Sequence, residues 1–335
     1  MTPNARRTML NHRHCLVLLL GLASGAVAGA DEKGVDAWIE QMAQAVHGLA
    51  YEGTFVYLHD NQLESMHITH SMENGEDQER LLSLNGAPRE VIRNTDSVIC
   101  ILPDAKAVSV SRRANDRTFP AVLPMNMDEL SAYYEFRLVG DGRMAGRPAK
   151  EIAVIPKDKY RYGYRIFVDT EHGLPLKTDT LNELGEPVTQ LMFTTLRVDP
   201  SIRAHAHKKQ DDYESYTWIQ PEPAREIPIT ERMDWKFKQL PAGFKLKVRA
   251  LRSGFSGDTD VEHFVFSDGL ATLSVYIEKA LEEGGLNEES HMGAVNAFGT
   301  QISGHQVTVV GEVPALTVRY VVNSIEYAAA NGAGQ

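Results

Sequence analysis

The amino-acid sequence predicts an α+β protein of mostly antiparallel strands, divided into a large sheet domain and a smaller one. Three observations support this prediction. An amphipathic helix precedes the strands, short runs of strand-forming residues separated by turn residues follow it, and a polar, proline-punctuated stretch interrupts these runs near residue 200. Because the connections are short, we expect neighbouring strands to pair antiparallel in one large meandering sheet with the helix packed against it.

The first thirty residues have the three parts of a secretory signal peptide. Arg6, Arg7 and Arg13 form a basic start, an apolar stretch runs from Cys15 to Ala23, and small residues follow. The apolar stretch is shorter than the roughly 20 residues that span a bilayer. We therefore expect residues 1–30 to be removed on export and the rest of the chain to be periplasmic.

Export would leave Cys100 as the one cysteine, so the predicted mature chain has no internal disulfide and depends on its core for stability. Cys100 lies in the apolar run Ser97–Leu102, and we expect it to be buried and unmodified. The signal holds three arginines and no acid, so its removal changes the net charge from −11 to −14. An acidic chain argues against a nucleic-acid partner.

The large domain, predicted over residues 31–198, begins with the helix and continues with strands. Apolar residues of the helix recur on one face at Val35, Trp38, Ile39, Met42 and Val46, and Gly48 is expected to follow its end. The predicted strands are Gly53–Leu58, Met66–His70, Arg80–Leu84, Glu90–Arg93, Val98–Leu102, Ala107–Ser111, Tyr134–Val139, Lys150–Ile155, Tyr160–Val168, Leu174–Thr180 and Val188–Val198.

Two segments interrupt the strand pattern. Arg112–Met127 is long for a structureless loop and carries apolar residues between two prolines, which is typical of a lid or a binding loop. Residues 199–228 combine prolines with a run of charges, so we interpret them as a linker with few packed contacts that lets the domains move.

The small domain is predicted over residues 229–327, followed by a flexible tail over 328–335. Its predicted strands are Phe244–Leu251, Val261–Ser267, Ala271–Glu278, Ala294–Ile302 and Gln306–Val310. Pro314 is expected to open a closing helix. One face of that helix would carry Val318, Val321, Val322 and Ile325.

The sequence contains none of the catalytic or phosphate-binding motifs that we looked for, which are G-x-S-x-G, H-E-x-x-H, the P-loop and G-x-G-x-x-G. His67 and His70 are three residues apart, which on a strand places them on opposite faces. His205 and His207 would share a face, but they lie in the predicted linker. We therefore predict no catalytic residue, no metal and no cofactor, and an envelope hydrolase is the least supported alternative.

The first predicted strand carries apolar side chains on both faces. Phe55 and Tyr57 point to one side, while Val56 and Leu58 point to the other. A half-solvated strand would alternate apolar with polar residues. One face can pack on the helix. The other needs a cover, which can be the long loop, a second helix near Met127–Tyr133 or a ligand, and two ordinary cores explain the pattern equally well.

These features lead to the hypothesis that the large domain binds the acyl chain of a lipid, with arginines contacting the anionic head group. The candidate lipid-binding residues are Phe55, Tyr57, Phe119, Val122, Leu123, Met125, Arg80, Arg89, Arg93, Arg112 and Arg113. Ordinary surface ion pairs are the competing interpretation of the arginines.

Several segments together resemble the RseB/MucB family of periplasmic sigma-factor regulators. The resemblance rests on Tyr51–Tyr57, Glu64–Ile68, Glu79–Arg93, Gly146–Ala149, Pro156–Tyr164, Gly173–Lys177, Leu240–Phe244, Phe266–Ala271 and Val309–Pro314. These segments occur in the family's order over nearly all of the chain after the signal, and the linker is the weakest part of the match.

The resemblance implies a large domain similar to the lipoprotein carriers LolA and LolB, an unclosed half-barrel with helices in its concavity. It also implies that the chain binds the periplasmic segment of a membrane-anchored anti-sigma factor and shields it from site-1 proteolysis. Lipid or lipopolysaccharide would release that segment, and alginate synthesis is among the outputs that such relatives control. A periplasmic lipid or lipoprotein carrier is the alternative, although a carrier needs only the first domain. A homo-oligomer is left open.

We expect the exported chain to be cleaved after Ala28 or Ala30, because Ala26-Val27-Ala28 and Ala28-Gly29-Ala30 both fit the A-x-A rule. N-terminal sequencing of the protein recovered from the periplasm would give Gly29 or Asp31 as the first residue. A recovered protein that still begins at Met1 would contradict the signal assignment.

Overall fold

The protein was analysed as a computed structural model. The structure describes residues 33–112, 127–204, 213–220, 222, 224–253, 260–280 and 287–328. The helices are α1 (Val35–Gly48), α2 (Met127–Leu130) and α3 (Ala315–Val322). Among the described residues, no helix has both the length and the apolar character needed to cross a bilayer.

The large sheet contains twelve strands in the order β12-β6-β5-β4-β3-β2-β1-β11-β10-β9-β8-β7. Their bounds are β1 Tyr51–His59, β2 Gln62–Glu73, β3 Glu76–Ser83, β4 Glu90–Arg93, β5 Ser97–Leu102, β6 Ala107–Arg112, β7 Tyr134–Met144, β8 Arg147–Pro156, β9 Gly163–Asp169, β10 Pro175–Leu181, β11 Pro187–Val198 and β12 Thr217–Ile219. The predicted open sheet of mostly antiparallel strands is confirmed.

Two meanders make up this sheet, and the pairing of β1 with β11 joins them. Tyr51 lies opposite Val198 and His59 opposite Thr189, with a bulge between Thr54 and Phe55. A bulge strengthens the local twist of a strand pair. The sheet therefore bends at its centre, and its two ends, β12 and β7, are not paired with each other in the described chain.

Helix α1 forms where the periodicity predicts it and buries the predicted face. Trp38, Ile39, Met42 and Val46 are at most 7% exposed. Gly48 is the last residue of the helix instead of the residue after it, a difference of one position at a boundary that frays easily.

Helix α1 packs on both halves of the bent sheet. Met42 lies in a core with Ile152 and Ile166 of β8 and β9. Val46 lies in a second core with Ile68 of β2. Full burial of each large apolar side chain contributes about 1.5–3 kcal/mol, so the helix stabilises the bend from both sides.

The linker is better packed than its composition predicts. Ile202 and Ala204 are 4% and 3% exposed, and Tyr213 is 8% exposed. Tyr213 packs against a core that includes Ile92 and Val108 on one face of β4–β6. The prediction of few packed contacts is therefore wrong for these residues, because aromatic and aliphatic side chains scattered among the charges suffice to dock the segment.

The same segment adds a strand to each sheet. β12 pairs in parallel with β6, and β13 (Arg225–Glu226) pairs with β15 of the small sheet. The polar run with His205 and His207 lies outside the described residues, as does the predicted tail from residue 329.

The small domain is a seven-stranded sheet in the order β13-β15-β16-β17-β20-β19-β18, with a two-stranded pair of β14 and β21 beside it. The remaining strands are β14 Trp235–Phe237, β15 Lys245–Ser253, β16 Asp260–Ser267, β17 Thr272–Lys279, β18 Glu289–Met292, β19 Val295–Ile302, β20 His305–Gly311 and β21 Ile325–Tyr327.

Helix α3 covers the small sheet as predicted, with one correction. Val318, Val321 and Val322 pack in the core of this domain, with Pro314 at the N-cap of the helix. Ile325 shares that core but belongs to β21, because it pairs with Phe237 of β14. The predicted small sheet with a helix near its C-terminus is confirmed.

We expect Tyr213→Ala to lower the free energy of unfolding by about 2–4 kcal/mol, because it removes a buried aromatic ring and leaves a cavity on β4–β6. Urea denaturation of the mature chain measures this change. Glu214→Ala, at the exposed neighbouring position, is the control and should change stability by less than about 0.5 kcal/mol. Equal, small effects of both substitutions would contradict the docking of the linker.

Candidate functional site on the inner face of the large sheet

The face of the large sheet that contacts α1 is called the inner face here, and the opposite face is the outer face. Tyr51, Phe55, Ile68 and Leu81 of the inner face pack with Val46 of α1. Side chains alternate between the faces along each strand. The register of the sheet therefore assigns each residue of β4–β6 to one of the two faces.

The inner face is only partly filled where it extends over β4–β6. Val91 lies at the edge of the core that includes Val46, and Cys100 is opposite Val91 in the register. Farther along the same face lie Val98, which is half-buried, and Leu102, which is 37% exposed. An apolar surface of this kind, beside a packed core, can bind an apolar ligand.

Cys100 is half-buried, so the prediction that it is buried is wrong. The reason is its face of the strand. Ile101, its neighbour, points to the outer face and packs in the core with Tyr213. Cys100 points to the inner face at the place where the core under α1 ends.

Phe55 and Tyr57 both lie on the inner face, as predicted, but they differ in burial. Phe55 is 0% exposed, and its ring packs edge-to-face with the ring of Phe193, with 5.8 Å between the ring centroids. Tyr57 is half-buried, its ring centroid lies 5.0 Å from that of His59, and desolvation raises the pKa of its hydroxyl. A ligand can reach Tyr57, whereas Phe55 is part of the protein core. On the outer face, Leu58 is 36% exposed and needs no cover.

Three of the candidate arginines are in ion pairs. Arg80 Nε lies 2.6 Å from Glu90 Oε1 and Arg93 Nη1 lies 2.8 Å from Glu79 Oε1. Both of these carboxylates are at most 5% exposed. Arg89 Nη2 lies 2.9 Å from Glu64 Oε2 in a more exposed pair. A buried carboxylate needs its partner, so Arg80 and Arg93 stabilise the sheet itself.

The four candidate arginines within the described part of the chain do not form a single cluster. Arg93 lies opposite Glu79 and Arg80 opposite Ile92, so adjacent positions of β3 place the two arginines on different faces. Arg112, opposite Ser97, lies on the outer face with Arg80. Glu64 is opposite Tyr57, so its partner Arg89 reaches the inner face. Of the candidate arginines that the structure describes, two therefore lie on the inner face, which corrects the prediction that all of them meet one head group.

Five of the candidate residues lie outside the described residues, and all five belong to the predicted lid. They are Arg113, Phe119, Val122, Leu123 and Met125. The second helix expected near Met127–Tyr133 does form, as α2, and its Leu130 is 1% exposed in the core with Trp38 of α1.

Asp169, Glu171 and His172 lie close enough together to hold a metal ion. The guanidinium of Arg147 already contacts all three, since its Nη2 donates to Asp169 Oδ2 at 3.0 Å and to Glu171 Oε2 at 2.8 Å and lies 2.8 Å from His172 Nδ1. The positive charge that these groups require therefore comes from an arginine. His67 and His70, the other pair considered, are on opposite faces as predicted, since they lie opposite Thr54 and Tyr51.

Sequence reasoning missed the contacts that join the two sheets. Arg161, in the loop between β8 and β9, and Asp268, in the turn after β16, form a buried ion pair, and Tyr134 donates to the same carboxylate at 2.9 Å. The local signal was an arginine placed between two tyrosines at positions 160 and 162, a charged side chain flanked by aromatic rings.

An open antiparallel sheet with a partly filled inner face, joined through buried contacts to a second sheet domain, defines a two-domain binding protein. The chain belongs to the MucB/RseB family. The model of the MucB/RseB N-terminal domain matches residues 34–211, and the model of the MucB/RseB C-terminal domain matches residues 230–326.

Relatives match along most of their length. The sigma factor AlgU regulatory protein MucB of Pseudomonas aeruginosa is 32% identical over 94% of this chain and 98% of its own. The sigma-E factor regulatory protein RseB of Haemophilus influenzae is 28% identical over 92% of this chain and 96% of its own.

Solved structures show the same two-domain fold. A crystal structure of MucB in complex with MucA(peri) superposes with a TM-score of 0.66 at 29% identity, covering 88% of this chain and 99% of that chain. A crystal structure of MucB superposes with a TM-score of 0.59 at 30% identity, covering 88% and 98%.

We expect Cys100 to react with a water-soluble thiol reagent in the folded protein, because the inner face around it is not fully covered. With a chromogenic thiol reagent, the final absorbance of the folded chain in native buffer should equal that of the chain unfolded in urea, and Cys100→Ser is the blank. Reaction only after unfolding would show that this part of the inner face is closed.

Proposed function

We propose that this chain is a periplasmic regulator that binds the periplasmic segment of a membrane-anchored anti-sigma factor and so negatively regulates an envelope-stress sigma factor of the alginate type. The observation that carries this proposal is the match of both domains to family members over nearly their whole length. Those relatives are named sigma factor regulatory proteins, and MucB was crystallised with MucA(peri).

The proposal includes export to the periplasm and regulation by binding alone, without catalysis. The signal-like pattern of residues 1–30 supports a periplasmic location. Binding and release account for regulation without a catalytic step, which suits a sequence that lacks the catalytic motifs we looked for. The chain would act by covering the cleavage site of the anti-sigma factor, and thereby protect that factor from site-1 proteolysis.

The inner face of the large sheet is the proposed lipid site. Val91, Val98, Cys100 and Leu102 offer an apolar surface, and Val91 and Tyr57 both lie at the edge of the core under α1. Each buried methylene contributes about 0.8 kcal/mol, so six of them would supply about 5 kcal/mol before ordering costs. A lipid or a lipopolysaccharide acyl chain bound there could compete with the protein partner and release it. The lid residues Phe119, Val122, Leu123 and Met125 remain candidates to close over the chain.

The arginines have a smaller role in this proposal than the apolar residues. Arg89 and Arg93 reach the inner face, but each is already paired with a carboxylate, Glu64 and Glu79. An anionic head group would have to compete with these carboxylates, so the net gain is small. The acyl chain therefore carries most of the affinity.

A periplasmic lipid or lipoprotein carrier is the second candidate function. The apolar inner face favours it as strongly as it favours lipid sensing. The small domain argues for the regulator, because a carrier that uses the inner face alone has no use for a second domain.

Binding of the anti-sigma segment tests the leading proposal. The mature chain should bind the periplasmic segment of the same bacterium's anti-sigma factor in titration calorimetry and slow its cleavage by the site-1 protease. A chain that retains lipoproteins from envelope extract, but neither binds nor protects the anti-sigma segment, would be a carrier.

Two leucines of equal exposure test the lipid site. Leu102 lies on the inner face at 37% exposure, and Leu82 lies on the outer face at 36%. We expect Leu102→Asp to raise the lysophospholipid concentration that releases the anti-sigma segment by about tenfold, since it buries a charge against the acyl chain. Leu82→Asp should leave that concentration unchanged. Equal behaviour of the two variants would show that the lipid binds elsewhere.

A further inference from the structure

The contact between the two domains is centred on a salt bridge from which water is excluded. Arg161 belongs to the large domain and Asp268 to the small one, and both side chains are 0% exposed. The Arg161 Nη1 lies 2.5 Å from Asp268 Oδ2. Tyr134 donates its hydroxyl to the same oxygen at 2.9 Å. Burial and the nearby Asp268 charge raise the pKa of Tyr134, which keeps this hydroxyl protonated as the bond requires.

The guanidinium of Arg161 is bonded to both domains. Its Nε and Nη2 each donate to Asp158 of its own domain at 3.0 Å. Its Nη2 also donates to the carbonyl of Ala242 in the small domain at 2.6 Å. Its carbon lies 5.0 Å from the ring centre of Tyr133 and 5.4 Å from that of Phe244, one ring from each domain. The arginine is thus held on both sides at once.

Asp268 also builds the turn that reaches the large domain. Its Oδ1 accepts hydrogen bonds from the amides of Leu270 at 2.8 Å and Ala271 at 2.7 Å. Leu270 packs against the core that contains Leu130 and Trp38. The turn therefore inserts an apolar side chain into the large domain next to the ion pair.

The residues on either side of Arg161 contact the small domain as well. The carbonyl of Tyr160 accepts a hydrogen bond from the Thr317 hydroxyl at 2.8 Å. Asn296 Nδ2 donates to the hydroxyl of Tyr162 at 3.0 Å. Three consecutive residues of one loop thus contact three separate elements of the small domain. Three such contacts fix the rotation of one domain against the other as well as the distance between them.

We propose that Arg161 and Asp268 are positioning residues that lock the two domains into one body, so that the anti-sigma segment meets a surface of both domains already in place. This inference rests on the proposed function. A partner that binds two separately moving domains must also order them, and that cost is removed when the domains are locked. A small rotation of one domain against the other would leave the Asp268 carboxylate buried without its cationic partner, and this cost favours one orientation.

Two aspartates that share one arginine provide the test. Asp268→Asn keeps the size of the side chain but removes the charge that crosses the domain boundary. Asp158→Asn removes a charge that Arg161 meets within its own domain, and it is the matched control. In scanning calorimetry of the mature chain, Asp268→Asn should split one unfolding transition into two, and Asp158→Asn should not. Affinity for the anti-sigma segment should fall by about tenfold or more in Asp268→Asn alone.

A covalent tether separates positioning from a direct or purely structural role. A Cβ placed at Gly293 of the small domain lies 3.1 Å from the Cβ of His59, close to the separation that a disulfide spans. His59→Cys with Gly293→Cys, in a Cys100→Ser background, should restore the affinity of Asp268→Asn when oxidised and lose it again when reduced. The positive φ of 57° at Gly293 is strained for cysteine, so formation of the disulfide is checked first by mass spectrometry.

Three results would overturn the proposal: unchanged affinity of Asp268→Asn, equal effects of Asp158→Asn, or a formed tether that fails to restore binding. Absence of binding by the unaltered chain would instead overturn the proposed function. The calorimetric comparison needs no partner, so it still decides whether Arg161 and Asp268 lock the domains.

Discussion

The buried pair of Arg161 and Asp268 sets the relation between the two sheets on which the rest of the structure depends. If the domains separated fully, water would solvate both groups, so the pair adds less to the strength of the interface than its short distance suggests. A slight rotation is different, because it would leave the Asp268 carboxylate buried without its cationic partner, at a cost of about 3–5 kcal/mol. The pair thus selects one orientation, while Leu270 in the core beside Leu130 supplies apolar affinity.

Limited coverage by helices explains why apolar side chains stay partly exposed on the inner face of the large sheet. Helix α1 has 14 residues and contacts both halves of a bent sheet of twelve strands near the bend, and the short helix α2 adds Leu130 to one of these two cores. Strands β4–β6 lie beyond β3 on one side of the bend, and they therefore keep half-buried apolar residues such as Val98 and Cys100 on their inner face. Their outer face is stabilised by Tyr213 of the linker. The outer face of β4–β6 is thus packed, while apolar side chains stay partly exposed on the inner face, and such a surface is suited to bind a ligand.

Local features of the sequence predicted the elements well. The apolar face of α1, the strand runs and the helix α3 all follow from side-chain periodicity, which is a property of neighbouring residues. The short connections correctly predicted most strand pairs. Boundaries differed by a few residues, as at Gly48 and Ile325, because hydrogen bonding in the final fold decides where an element ends.

Contacts between distant residues could not be predicted in this way. The β1–β11 pairing joins strands more than a hundred residues apart, and Arg161 lies 107 positions from Asp268. The arginine cluster was inferred from closeness in sequence, yet the register divides its members between two faces. Composition also concealed the docking of Tyr213, because one buried ring outweighs many solvated charges. The sequence therefore predicts that the candidate site is apolar, but it does not predict which residues share the inner face.

The distance between the two domains in solution tests the central claim, that they form one body, most directly. Spin labels at Leu184 of the large domain, which is 75% exposed, and at Lys279 of the small domain can be introduced as cysteines in a Cys100→Ser chain. Double electron–electron resonance should give a single narrow distance distribution that the anti-sigma segment leaves unchanged. A broad or two-peaked distribution in the free chain would show that the domains move independently and would contradict the account.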